Sequence, residues 1–165
     1  MENTVNRVLQ ALQSCNIPYE IYEHPPLPTI EDAEKYWKDI EATHCKNIFF
    51  RNHKGNRHYL VILEHRAILD IHDLEKRLSQ GKLTFASPKR LKKYLGLEPG
   101  SVSPFGLIND TENHVHVFLD EQLLKAEKIS FHPNTNTATV VIQFTDFVKF
   151  LNISGNLYEF LKLYD

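Results

Sequence analysis

The stretch "KNIFFRNHKGNRHYLVIL", residues 46–63, limits the fold more than any other part of the chain. Two runs rich in Ile, Phe, Tyr, Val and Leu flank "NHKGN", a glycine-containing turn of hairpin length, so the pattern predicts a β-hairpin. The second run is apolar at successive positions. A strand of that kind is buried on both faces, which predicts a central strand with other elements packed above and below it.

The remaining segments alternate between helical and extended periodicity. Val5, Val8, Leu9 and Leu12 form one face of a first helix, with Asn3 or Thr4 as cap and Asn16 and Pro18 as stop. "YEIYEH" reads as a strand ending at Pro25, "PPLP" as an extended elbow, and "TIED" as the start of a helix that runs to about Trp37, with Thr29 as cap. "IHDLEKRL" predicts a helix and "KLTFA" a strand; "SPKRLKKYLG" predicts a helix with Ser87 as cap, Pro88 at its first position and Gly96 at its close. After a loop at 99–106 come the strand "HVHVFLD", a helical "EQLLK", the strand "KISF", the turn "HPNTNT" and the strand "ATVVIQF". Two helices, "TDFVKFLN" and "GNLYEFLKLY", complete the prediction. Interspersed helices and strands with a hairpin describe an α+β fold, a mixed sheet covered by helices, and 165 residues suit a single domain over 1–165.

Composition narrows the function classes. A hydrophobic share of 42% and a charged share of 24% exclude a disordered or fibrous chain, and the net charge of -2 leaves nucleic-acid binding to local patches alone. No apolar run is long enough for a membrane helix. With no secretory leader ahead of Cys15 and Cys45, the expectation is a reduced, cytoplasmic chain.

Most of the familiar catalytic patterns are missing. The 9 histidines include His114 and His116 on one face of an alternating strand, but no zinc spacing, so they read as solvent-facing and no metal or cofactor is expected. Ser101 and Ser103 lack a nucleophile elbow, and Cys45, on a strand, reads as a buried inert thiol. Lys46 either reaches solvent from its strand end or faces inward, where burial would demand a strongly polar partner. Lys89, Arg90, Lys92 and Lys93 form a basic cluster on one helix, suited to phosphate contact or to simple solvation. The loop "PGSVSPFG", residues 99–106, holds two of the 6 glycines and two of the 8 prolines, as a backbone that approaches a ligand requires.

In their order and spacing, "HCKNIFFRN", "GSVSPFGLIND" and "FHPNTNTATVVI" resemble the YbaK-like aminoacyl-tRNA editing family, and in particular the freestanding homologues of the prolyl-tRNA synthetase insertion domain. The resemblance extends over nearly the whole chain. It implies the YbaK-type fold with a barrel-like core, and hydrolysis of alanine mischarged on tRNA(Pro). The family's lysine falls on Lys46, with Asn47 beside it, and its Gly-x-x-x-Pro loop on Gly100, Ser101, Val102, Ser103 and Pro104. Its pocket histidine falls on His132. Gly106, Ile30 and Phe49 are expected to contact substrate, and Arg51, Lys89, Arg90 and Lys93 to contact tRNA. The implied partners are mischarged tRNA(Pro) and, transiently, prolyl-tRNA synthetase, with the protein a monomer. Two readings stand beside it: deacylation of a tRNA mischarged with cysteine, serine or threonine, and a noncatalytic module that binds tRNA or a synthetase.

Overall fold

The computed structural model describes residues 2–26 and 30–165. Helix α1 (Glu2–Ser14) leads to β1 (Glu20–Glu23) and α2 (Ile30–Trp37), followed by the hairpin of β2 (Thr43–Asn52) and β3 (His58–Glu64). Then come α3 (Ile71–Leu78), β4 (Leu83–Phe85), α4 (Pro88–Leu95), a 3-10 helix (Pro104–Asn109) and β5 (His116–Asp120). A second 3-10 helix (Glu121–Lys125), β6 (Lys128–Phe131), β7 (Ala138–Gln143), α5 (Phe144–Ser154) and β8 (Tyr158–Leu161) complete the chain. The expected Thr29 cap lies outside the described residues.

The eight strands form one mixed sheet in the order β1-β7-β6-β2-β3-β5-β8, with β4 on β2. Strand β3 pairs antiparallel with β2 and parallel with β5. Its alternating side chains enter two different cores. Leu60 and Ile62 join Val8, Leu12, Leu95, Phe105 and Phe147 on one face, and Tyr59, Val61 and Leu63 join Phe50, Leu74, Leu78 and Phe118 on the other. A strand dry on both sides is what "HYLVIL" predicts, because each face of a sheet must be covered if neither side chain set is polar.

Strand β2 has two different neighbours along one edge. Its start pairs parallel with β6 through Thr43↔Ile129 and His44↔Ser130. Its end pairs antiparallel with β4 through Phe50, Arg51 and Asn52. Ala86 N extends that contact to the Phe49 carbonyl at 2.9 Å; among the described residues no strand register covers the edge at residues 45–48, so the sheet forks there.

The local signals at α4 hold: Ser87 Oγ accepts from Arg90 N at 3.2 Å, Pro88 opens the helix, and Gly96 closes it at φ 68°. "GNLYEFLKLY" is not a helix. Its Tyr158–Leu161 pairs parallel with β5, Val117 opposite Tyr158. The reason is an anchor the local periodicity does not carry. Gly155 ends α5 at φ 82°, and the Asn156 amide then donates to Asp110 Oδ2 and to the Val115 carbonyl, both at 2.8 Å. That lays the chain along the open edge of β5. "EQLLK" is a 3-10 turn, and the second half of the 99–106 loop already belongs to the 3-10 helix at Pro104.

Asp110, 6% exposed, accepts from His114 N, Val115 N and Asn156 Nδ2. Asp110→Ala strands three donors at the junction of β5 and β8, and urea unfolding is expected to show a loss of about 3 kcal/mol.

Candidate functional site

The fork brings Lys46 and His132 onto one face of the sheet. On β2, Phe49 belongs to the core that contains α1, and Cys45 packs against it. Phe50 belongs to the opposite core, and Ile48 packs against that one. Alternation therefore puts His44, Lys46 and Ile48 on the second face and Asn47 on the first. On β6, Ile129 and Phe131 enter the first core, so Ser130 and the following His132 lie on the second face with His44 and Lys46. The His44↔Ser130 register, continued by two residues, would set Lys46 opposite His132. Pairing stops first, so an unpaired stretch, the wedge, separates the two strands at Lys46 and His132.

Helix α2 packs on this face. Trp37 stacks on His44 with ring centroids 4.5 Å apart and planes 3° apart. Glu34 accepts from Arg66 Nε at 3.2 Å and lies 3.6 Å from His65 Nε2.

Each group in the wedge has a defined state. Lys46 donates to the Ala67 carbonyl. Its removal from water pulls it below the ordinary lysine range, and Glu64 opposes that shift. His132 Nδ1 lies 3.0 Å from the Ala138 carbonyl oxygen. A carbonyl only accepts, so Nδ1 carries the proton and Nε2 of the neutral ring is a free acceptor. Burial lowers the His132 pKa, with the Ala138 bond acting against it. Burial also pushes the Cys45 thiol far up, so it remains protonated and inert.

The 100–104 loop arrives from the other side of the sheet. Gly100 takes φ 87°, and a Cβ there would lie 3.9 Å from Asn136 Nδ2, so backbone conformation and not space requires glycine. Asn134 donates to the Phe105 carbonyl at 3.4 Å, which ties the loop to the turn after His132. Ser101 N donates to Glu98 O at 3.1 Å, and Ser103 Oγ accepts from Phe105 N to cap the 3-10 helix. Among the described residues, no acceptor is found for the N–H groups of Gly100, Val102 and Ser103. Part of the glycine and proline density is thus packing and capping, and part leaves three amides, interrupted at Ser101, without an acceptor among the described residues.

Three expected substrate contacts are placed differently. Phe49 is a core residue, 5% exposed, on the face opposite Lys46, so it does not wall the wedge. Gly106 is explained by packing: a Cβ there would approach Leu97 Cδ1 to 2.8 Å. Asn47 shares the Phe49 face, and its Oδ1 is buried with no partner among the described residues. Ile30 begins α2, but its side chain lies outside the described residues.

The basic cluster is real but unequal. Arg90 Nη1 donates to Gly55 O at 2.8 Å and approaches His58 Nε2 at 3.1 Å, so it pins the β2–β3 turn to α4. Arg51 holds the carbonyls of Asn52 and His53. Lys89 and Lys93 are exposed, Lys93 lying 5.1 Å from the Tyr94 ring centroid. His114 and His116 are not solvent-facing as expected. His114 stacks on Tyr94 and meets His58 Nδ1 at 2.9 Å, and His116 stacks on Phe118 and pairs with Glu159 at 3.0 Å. Sequence reasoning missed His24, Trp37, His44 and Thr139 as a group. The isolated aromatic and imidazole residues carried no spacing that marked them.

The profile of the aminoacyl-tRNA editing domain matches residues 24–150. The chain belongs to the aminoacyl-tRNA editing family, YbaK-like in type, and is an aminoacyl-tRNA deacylase. Among its relatives is the prolyl-tRNA editing protein ProX of Acetoanaerobium sticklandii, 40% identical over 94% of this chain and 95% of that one. The mouse prolyl-tRNA synthetase associated domain-containing protein 1 is 32% identical over 89% of each chain. A crystal structure of a candidate trans-editing enzyme for prolyl tRNA synthetase superposes with a TM-score of 0.72 at 22% identity, over 96% of each chain, and shares the fold.

Burial, His114, Arg90, Lys93 and Arg51 together hold His58 down at about 4. Arg90 donates to its Nε2, so the ring is neutral with its proton on Nδ1, directed at His114. The unfolded chain takes up this proton near pH 6.5 and the folded chain only near 4. The stability His58 contributes is therefore complete above about pH 6.5 and is lost as pH falls from there towards about 4. Urea midpoints measured from pH 7.5 to 4.5 should fall in the wild type and fall less steeply in His58→Gln.

Proposed function

We propose that the chain is a trans-editing hydrolase that removes alanine from mischarged tRNA(Pro). The observations that carry this reading are the amides of Gly100, Val102 and Ser103, which have no acceptor among the described residues, in a loop tied by Asn134 to the turn after His132, and the placement of Lys46 and His132 on one face of the sheet. Amide donors aimed at a developing oxyanion stabilise ester hydrolysis strongly, because they are fixed before the charge appears.

In the mechanism, the aminoacyl ester enters the wedge with its carbonyl towards the loop amides. Lys46 holds the 3′-terminal adenosine end and offsets negative charge as it builds. The free Nε2 of His132 accepts from the α-amino group. The attacking water is oriented by the ribose 2′-hydroxyl, so no side-chain nucleophile is needed; positioning an already activated ester supplies much of the rate. Selectivity follows from size. A synthetase pocket shaped for proline gains only about 1–3 kcal/mol per methylene against alanine, whereas a second, smaller pocket excludes proline outright. Ile30, at the start of α2, is its wall residue.

The names of the ProX relative and of the synthetase-associated proteins support tRNA(Pro) as the carrier. One domain over residues 1–165 acts as the editing unit, monomeric and in transient contact with prolyl-tRNA synthetase. Lys89 and Lys93, with Arg51 and the partly committed Arg90, contact the phosphates of the acceptor stem.

The test is deacylation of Ala-, Cys- and Pro-tRNA(Pro) by wild type and Lys46→Ala. Alanine-selective hydrolysis is expected, with kcat/KM lower by about 100-fold in the variant. Survival of all three esters with the wild type would overturn the substrate assignment. Lys89→Ala with Lys93→Ala should raise KM and flatten its dependence on salt, read by repeating the assay from 50 to 200 mM salt.

A further inference from the structure

The residue after β1 and the last residue of α2 are fastened to one side chain. Thr139 on β7 is 1% exposed, and its hydroxyl lies 2.8 Å from His24 Nε2 and 3.4 Å from Trp37 Nε1. His24 directly follows β1 and Trp37 closes α2, so the two residues bracket positions 25–36. The direction of each bond follows from donor chemistry. Indole N–H only donates, so Trp37 gives its proton to Thr139 Oγ1. His24 Nδ1 lies 2.9 Å from the Pro25 carbonyl oxygen, which only accepts, so the ring proton sits on Nδ1. Nε2 of the neutral ring then accepts from the Thr139 hydroxyl. Trp37, Thr139, His24 and the Pro25 carbonyl form a single file in which each bond polarises the next.

This file runs beside the wedge. The His24 ring lies edge-on to His132 at 6.3 Å between centroids. The Trp37 indole stacks on His44, which is itself held by Ser130 Oγ at 2.6 Å and the Ile40 carbonyl at 3.1 Å. We propose that Thr139 is a positioning residue for acyl selectivity: its hydroxyl fixes where the Trp37 end of α2 lies against the Lys46–His132 face of the sheet. The inference rests on the deacylase reading above, since selectivity is read on that reaction. The hydroxyl and not the bulk of Thr139 is responsible. Thr139→Val keeps the shape and removes both bonds, whereas Thr139→Ser keeps the hydroxyl.

Trp37 is the only tryptophan in the chain, so intrinsic emission reports the anchorage without any substrate. Thr139→Val is expected to shift the emission to the red and to increase acrylamide quenching. Its preference for Ala-tRNA(Pro) over Pro-tRNA(Pro), as a ratio of kcat/KM values, should fall by about tenfold. Thr139→Ser should restore both. Wild-type emission in the valine variant would overturn the proposal, as would altered emission with an unchanged ratio, or serine behaving like valine. If the wild type hydrolyses neither ester, the substrate assignment fails by itself. The emission of the two variants still decides whether the hydroxyl anchors α2.

Discussion

The divergence of β6 from β2 is the constraint on which the rest of the site depends. Two parallel pairs, Thr43↔Ile129 and His44↔Ser130, join the strands, and two residues later the same register would have brought Lys46 against His132. A continuous sheet would bond those backbones together and leave no room for a ligand. The fork instead leaves the backbones unpaired at Lys46 on β2 and at His132, the residue after β6. Strand β4 takes over the vacated edge at Phe50, which limits the opening to a few residues.

What crosses the gap is controlled from outside the sheet. The 100–104 loop is tied to the turn after His132 by Asn134, which donates to the Phe105 carbonyl. The 3-10 helix that follows is anchored in the main core by Phe105, packed edge-on against Phe131 and Phe150. The loop amides are thus fixed relative to β6, while α2 is fixed relative to β2 and β7 through Trp37. Lys46 and His132 thus stand between elements anchored on both sides of the fork.

Much of this was legible in the sequence. The hairpin, the doubly buried β3 and the caps of α4 follow from local patterns, since each depends on residues close together in the chain. The motif positions of Lys46, Gly100–Pro104 and His132 came from resemblance, and their shared surroundings came from the fold. The β8 strand was misread as a helix because it depends on the β5 edge and on Asn156 bonding Asp110, 46 positions away in sequence. Phe49 was expected in the pocket because it neighbours the motif. Strand alternation turns it to the opposite face, and that depends on which core claims which parity. The Thr139 group was invisible for the same reason, since His24, Trp37 and Thr139 meet only when β1 pairs with β7.

The tip of the β2–β3 turn and helix α4 are chemically one unit. Gly55 takes φ 73°, and any β-carbon there would lie 2.8 Å from Arg90 Nη2. A larger residue at 55 must expel the guanidinium and with it the donor to His58 Nε2. His58 would then be free to exchange tautomers with its neighbour His114. A turn glycine, ordinarily read as a matter of backbone shape, here sets the proton bookkeeping of an imidazole pair beneath a basic surface. Positions 55 and 90 should therefore vary together during the divergence of this lineage, or not at all.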